Sequence, residues 1–493
     1  MSIHAQLSPE ALAKLHAQKR NSTISSIAIS ILTIVLVALL LGIFLLDPFV
    51  KETPTIVTYA ASLNEENQVE QKKVSNSLQK KPASPSSAMA KVIASNTASP
   101  TAVPVPDVDV TTPSTDFGDS DDFGTGWGDS TDMGSGGFVN VPATMRKRCS
   151  KEDRLQRLAE GGGNAACEEA VEKGLEWLKS TQNSDGSWGS GNTHAWTGLG
   201  LLAYLGRCET PLSEKYGESC LRAITWLVNS GMKNDGKLAA NFASQQGAYE
   251  HPIATYAIAE AATFCKQLNI NVPNLMEVTQ KAGQLIIDNQ NTNGGWAYAY
   301  SVKGGHTDLS VVAWQLQALK ACYHTGIEFK GLTRSANRGL EYTEKLQNEQ
   351  GGFGYNSPSS THAKGYFSLT GAGVLSLQMW GKGNQSAARK GAKYIEDNTK
   401  FDYNTEFADL YGHYYEAQAM INRGGQQWRK YNNIFRDQLL QNQNPNGSWK
   451  APGGGKAVRA AGATYVTNEH YRTCLNILML EVYYRFLPGT GQL

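Results

Sequence analysis

Imbalance of charge, cysteine and long apolar runs are all scarce in this 493-residue chain. Lys and Arg number 45 against 44 Asp and Glu, a formal net charge of +1. No basic excess exists to neutralise a phosphate backbone, so no nucleic-acid partner is expected, and nothing favours a strongly acidic substrate. Seven cysteines are present. The number is odd, so at least one is free or pairs between molecules. Large apolar residues are few from Lys51 to about Ala143, where Ser, Thr, Pro, Ala, Lys and Asp dominate. Such a segment cannot bury enough surface to offset its ordering entropy, and disorder is expected there.

One long apolar run does occur. Ile27 to Leu46 holds no charged residue, and as a helix it would extend about 30 Å, enough to cross a bilayer core. Lys14, Lys19 and Arg20 precede it and Asp47 follows. The basic side is expected in the cytoplasm, which makes the chain a single-pass protein of the plasma (inner) membrane with its C-terminal part outside. A cleaved signal peptide is the alternative, but the apolar stretch is long for one and Asp47-Pro48-Phe49 is a poor cleavage site. The resulting division is a cytoplasmic segment at 1–25, containing a short helix from Leu7 to Arg20, a transmembrane helix at 26–46, a disordered linker at 47–144 and a folded domain at 145–493. The Asp-Ser-Asp-Asp string at 119–122 sits in low-complexity sequence and is read as coincidence.

The folded part is built on a repeat. Gln182-Asn183-Ser184-Asp185-Gly186-Ser187-Trp188 returns as Gln290 to Trp296, Gln347 to Phe353 and Gln443 to Trp449, each with Gln six residues before the aromatic and glycine between. The spacing predicts a turn after a helix, with Gly at positive φ and the aromatic packed on the neighbouring repeat. Between these turns two helix types alternate. Val171, Leu175 and Leu178 mark a helix with one apolar face, whereas Trp196 to Leu205 is apolar almost all round. Half-buried candidates continue at Ala223–Val228, Val278–Ile287, Ala336–Leu346, Ala388–Ile395 and Asn433–Leu440. Buried ones continue at Ile253–Phe264, Leu309–Cys322, Phe367–Met379, Leu410–Ile421 and Thr473–Phe486. Six of each predict two concentric layers. His194, His251, His306, His362, His413 and His470 fall one per repeat near the starts of the buried helices, and are expected to ring one mouth. Outside the cytoplasm disulfides are allowed. Cys149–Cys167, Cys208–Cys220 and Cys265–Cys322 are candidate pairs that spacing alone leaves open.

These Gln-to-Trp repeats followed by buried helices resemble the squalene–hopene cyclase and protein prenyltransferase repeat family over about residues 165–488. The resemblance implies an all-α fold, an (α/α)6 toroid of six helix pairs, with length here for one barrel. In cyclases of that family an Asp-rich string opens an inner helix and its middle Asp protonates an alkene. The matching place here is His306-Thr307-Asp308-Leu309, so Asp308 aligns with the acid and His306 replaces the first Asp. A protonated imidazole beside Asp308 favours the carboxylate, the wrong state for donating to an alkene. In the prenyltransferases the same place helps to hold zinc. His306, Asp308 and His413 could form a His₂Asp site for Zn here, although no cofactor is the expected case. The plain alternative is that Asp308 and its neighbours cap a helix. Trp196, Tyr256, Trp314, Phe367, Tyr411, Tyr415 and Tyr471 are the expected aromatic lining of a pocket for an isoprenoid or lipid ligand, and aromatics on buried helices also serve simply as core. Cys474, opening the last buried helix, is either a nucleophile or an inert buried thiol. Three functions therefore compete: a cyclase-type enzyme acting through Asp308 and His306, a zinc-dependent enzyme, and a non-catalytic toroid that binds a lipid, a peptide or an envelope protein partner.

Overall fold

The computed structural model describes residues 55–56, 148–455 and 463–485, the side chains of 55–56, 363–368, 454–455, 463 and 465 excepted. Apart from the two-residue strand Thr55–Ile56, the expected short helix at 7–20, the apolar run and the linker with its Asp-rich string lie outside these residues. Among the described residues no helix is long and apolar enough to cross a membrane. On that finding the expected placement in a plasma (inner) membrane is corrected; the run at 27–46 on which it rested lies outside the described residues.

The domain begins with α1 (Lys151–Glu160) and then alternates outer and inner helices. The outer ones are α2 (Ala165–Thr181), α4 (Gly217–Lys233), α6 (Leu275–Asp288), α8 (Leu332–Glu344), α10 (Ser386–Asn398) and α12 (Gly425–Gln441). The inner ones are α3 (Thr193–Gly206), α5 (Gly247–Gln267), α7 (Leu309–His324), α9 (Thr370–Met379), α11 (Leu410–Arg423) and α14 (Glu469–Leu480), the last preceded by the short α13 (Ala463–Thr467) and followed by α15 (Val482–Arg485). Each inner helix packs on the next, α3 on α5 and so on to α14, and α14 packs back on α3. The ring is closed, as the alternation of apolar patterns predicts. In α3 every residue after Thr193 is buried, whereas α4 buries one face.

The repeated turn is the clasp between repeats. Gly186, Gly294, Gly351 and Gly447 all have φ between 94° and 102°. A Cβ on any of them would lie within 2.5 Å of a backbone carbonyl of the next outer helix, namely that of Arg222, Arg338, Lys390 or Lys173. Gln182, Gln290, Gln347 and Gln443 use Nε2 to reach Ser219 O, Ser335 O, Ala387 O and Ala170 O, again on the following outer helix. The last of these joins the sixth repeat to the first. Trp188, Trp296 and Trp449 each donate Nε1–H to a carbonyl ten residues back, at 2.8 Å. The indole is thereby held between the layers, where small residues of the next outer helix, Gly339 for Trp296 and Gly174 for Trp449, make room for it.

The second and fifth repeats lack this turn, and histidine takes its place. His251 accepts from Leu238 N–H at Nδ1 and donates to Ala282 O from Nε2, 3.0 Å away on α6. His413 meets Tyr431 of α12 at 2.7 Å and Lys400 O at 3.2 Å. The expected ring of six imidazoles around one mouth is therefore corrected. Their shared place in the repeat is real, but His251 and His413 face the outer layer, as do His194 toward Ser230 and His362 toward Tyr394. His470 bonds Trp196 O and lies against Trp177 and Trp188.

The disulfide also differs from the candidate pairs. Cys149 is bonded to Cys208, their Cα atoms 4.8 Å apart across 59 residues. Cys208 stands at φ 64° just past α3, and Cys149 lies just before α1. Cys167, Cys220, Cys265, Cys322 and Cys474 are free and buried. Cys474 lies 3.4 Å from His470 Nε2, and burial pushes its thiol well above its ordinary range, which favours the inert reading over the nucleophile.

Two measurements test this frame. Gly447→Ala forces a side chain at φ 95° into Lys173 O, and should cost more than about 2 kcal/mol in denaturant unfolding; an unchanged midpoint would remove the clasp from the argument. Burial also depresses the histidines that join the layers, His251 to about 3, His413 to about 4 and His470 to about 4. Their unfolded values lie near 6.5, so as pH falls below that value the unfolded chain takes up protons that the fold refuses. Each should remove about 1.4 kcal/mol of stability per pH unit between roughly pH 6 and pH 4. His413→Phe should flatten that slope by about a third of the three-histidine contribution, and a slope identical to wild type contradicts the assignment.

Candidate functional site

The inner helices begin at one rim, and a cavity of about 470 Å³ opens there. Its wall takes Trp196 from α3, Tyr249, Glu250 and Ile253 from α5, Ser310 and Trp314 from α7, Tyr411 from α11 and Tyr471 from α14. Tyr298 and Tyr355 come from the loops before α7 and α9. Trp196, Trp314, Tyr411 and Tyr471 were expected here and are found here. Trp196 and Tyr471 stand 5.1 Å apart between ring centroids, and Gly189 backs the indole so closely that a Cβ would approach it to 2.6 Å. The Tyr411 hydroxyl donates to Ser310 O at 3.0 Å, and the residue lines the cavity.

Three expected lining residues are not in this wall. Tyr415 lies one helical turn deeper than Tyr411 and packs edge-on against Trp314, behind the cavity. Tyr256 lies about two turns below Tyr249 and belongs to a buried ionic group, its hydroxyl 3.0 Å from Arg485. There Arg485 and Arg148 both pair with Glu260, at 2.8 and 2.7 Å. The side chain of Phe367 lies outside the description.

Asp308 caps α7. Its Oδ1 accepts from Ser310 N at 2.9 Å and Val311 N at 3.2 Å and from the Ser310 hydroxyl. The residue is fully buried, and Oδ2 faces His306 Nε2 at 3.3 Å. Burial alone would raise the carboxyl pKa. Hydrogen bonding from His306, Ser310, Tyr298 and Tyr355 outweighs it and holds the group below the usual carboxylate range. His306 is displaced upward in turn, chiefly by its bond to Asp308. Its side chain is 42% exposed and stacks on Tyr298. Here the repeat departs from its neighbours: Tyr342 of α8 bonds Thr307 O, joining outer and inner layers, and His306 is left at the rim.

From His306 a row of hydroxyls runs along the wall. Nε2 lies 3.1 Å from Tyr355 Oη, which is 2.7 Å from Tyr298 Oη; Tyr249 Oη follows at 3.5 Å and Ser310 Oγ at a further 2.8 Å. Burial raises the pKa of all three phenols, so they are neutral. Glu250 was likewise missed from sequence. Its Oε2 is held by Ala240 N–H at 3.0 Å and His194 Nδ1 at 3.2 Å. Tyr298 and Tyr355 follow two of the repeated turns by two residues, the one signal that could have found them.

The proposed zinc trio is not assembled. His413 faces Tyr431 and Lys400 O between the layers, away from His306 and Asp308. Among the described residues no group of three or more His, Cys, Asp or Glu could hold a metal ion.

No family model matches the sequence, and no curated protein matches it. Solved structures do share the architecture. An alpha-1,6-mannanase from Salegentibacter sp. HEL1_6 is 12% identical, with 64% of this chain and 98% of that one covered at a TM-score of 0.47. A type II terpene cyclase from Scytonema in complex with its product merosterolic acid A is 14% identical, with 68% and 99% covered at 0.42. At such values the likeness carries no argument about chemistry. The α/α toroid stands on its own closed ring; the cyclase and prenyltransferase family is not confirmed.

The ionised pair makes one prediction. Asp308→Asn keeps an acceptor for the α7 cap but removes the negative partner of His306. The His306 imidazole, followed by NMR, should titrate closer to its ordinary value of 6.5; a titration that does not move would break the pairing.

Proposed function

We propose that this domain is a binding toroid, whose rim cavity takes an amphipathic organic molecule of modest size. The observation that supports it is the two-sided wall. Aromatic faces of Trp196, Trp314, Tyr411 and Tyr471 occupy one part, and the hydroxyl row with Glu250 occupies the other. A hydrocarbon or ring portion of the ligand would lie on the aromatics, in the manner of the isoprenoid or lipid part expected from sequence. Its polar portion would meet Tyr249, Tyr298, Tyr355 and Ser310. Apolar burial against such faces contributes about 25 cal/mol per Å² of ligand surface, and the hydroxyls orient the molecule.

Cyclase-type protonation through Asp308 is disfavoured by the same geometry. A carboxyl that accepts bonds at Oδ1 and faces an imidazole at Oδ2 is a base and an anchor, not a strong acid. The non-catalytic reading needs only the cavity and is the simpler of the two.

Mass spectrometry of material extracted from the purified full chain would identify a retained ligand. Trp196→Ala should lower the affinity of that molecule by about tenfold, the loss expected when one aromatic face of a buried site is removed. Equal affinity in the variant, read by fluorescence of the remaining tryptophans, would rule the cavity out as the binding site.

A further inference from the structure

Where α14 packs back on α3 and closes the ring, the seam carries an acid that the rim cavity does not use. We infer that ring closure is proton-linked through Glu481, which holds a proton in the folded domain and weakens the seam when it loses it. Neither the cavity nor its ligand enters into this.

Glu481 stands between α14 and α15 and is fully buried. Its carboxyl fills the space of a side chain on the first inner helix: a Cβ on Gly206, the last residue of α3, would collide with Oε2. Both carboxyl oxygens are buried without a hydrogen-bond partner. Arg485 Nη1 stands 3.9 Å from Oε2, beyond hydrogen-bonding distance, and reaches Leu202 O at 3.3 Å instead. Its Nη2 serves Glu260 Oε2 at 2.8 Å and the Tyr256 hydroxyl at 3.0 Å, while Arg148 pairs with Glu260 Oε1 at 2.7 Å. A carboxylate in such a place has lost its water and gained no donor, a cost that the neutral acid escapes.

The surroundings agree with that state. Burial raises the Glu481 carboxyl pKa well above its ordinary range; Arg485 and Arg148 pull it down, and Glu168 and Glu260 push it further up. Glu168 of α2 is engaged through Oε1 by Arg154 and Arg207, at 2.8 and 3.0 Å. Its Oε2 is a further buried oxygen without a partner, as is the Tyr484 hydroxyl on α15. Burial keeps Tyr484 and Cys474 of α14 neutral. Ionised, the Glu481 carboxyl competes with Glu260 for Arg485, the residue that ties α15 to α5. Loss of the proton therefore sets the last repeat against the first.

Linkage gives the sign. An unfolded glutamate ionises near 4.3, so above that value the unfolded chain releases a proton that the fold keeps. Relative to Glu481→Gln, which keeps the shape without the acid, the wild-type folding equilibrium should fall about tenfold for each pH unit above roughly 5. The loss levels off once the folded carboxyl itself ionises. Denaturant unfolding of the full chain between about pH 5.5 and 8 reads this directly, because histidine and thiol contributions are common to both proteins and cancel in the difference. A difference that does not change with pH would make Glu481 the ionised partner of Arg485 and overturns the inference. Glu481→Met removes the acid in another way and should give the same slope; failure of both variants to fold shows that the seam requires the charge, and overturns it too. Glu260→Gln supplies the contrast. Against its burial, Arg485 and Arg148 hold that carboxyl below its ordinary range, so the variant should be less stable than wild type by at least about tenfold, and by the same factor across the interval. A Glu260→Gln difference that also changes about tenfold per pH unit would place the proton elsewhere in the group and removes it from Glu481.

Discussion

Everything in this domain depends on how closely one repeat can approach the next. At Gly186, Gly294, Gly351 and Gly447 the backbone of a turn lies against a carbonyl of the following outer helix with no room for a methyl group. That approach lets a glutamine amide reach the same helix and traps an aromatic ring between the layers, an indole at three of the turns and Phe353 at the fourth. Hydrogen bonding to buried carbonyls sets the spacing, and apolar packing of Trp against glycine fills it. A ring of six pairs closes only if each step has nearly the same rotation, so a repeated polar clasp is as much a geometric device as an adhesive one.

Histidine joins the layers both where the clasp is absent, at His251 and His413, and beside it, at His194 and His362, so the recurrence of a residue associated with catalysis is largely structural. A neutral imidazole has a donor and an acceptor on opposite sides of a small ring, which suits the joining of two layers. His251 and His413 are buried and held neutral for that purpose. At the third repeat the bond between layers passes to Tyr342, and His306 is released to the rim beside Asp308. The candidate site thus arises from a local exception in a structural pattern.

The rim itself is shaped by helix starts. Side chains in the first turns of the inner helices converge there, and residues one or two turns further in, such as Tyr415 and Tyr256, become packing or ionic core instead. The same periodicity that buries an inner helix on all sides therefore limits a cavity to its first turns. Asp308 shows the electrostatic side of this arrangement. As a helix cap it is surrounded by donors, and those donors keep it ionised in a place where burial alone would protonate it.

Much of this was legible in the chain. Periodicity located the helix pairs, and the Gln-to-Trp spacing located the turns and their positive-φ glycines, because both follow from local backbone geometry. Asp308 could be read as a cap, and Trp196, Trp314, Tyr411 and Tyr471 as lining, from their places at helix starts. Other features were not readable in that way. The Cys149–Cys208 bond joins residues 59 apart in sequence, which only the tertiary fold makes neighbours. The direction of each histidine depends on which outer-helix group lies opposite it once the layers pack. The hydroxyl row and Glu250 gather from two helices and two loops. Sequence alone determined the number of layers and the order of the repeats, since these rest on contacts close along the chain. Only the tertiary structure decided what faces the cavity and with what charge, because those properties belong to side chains that ring closure brings together.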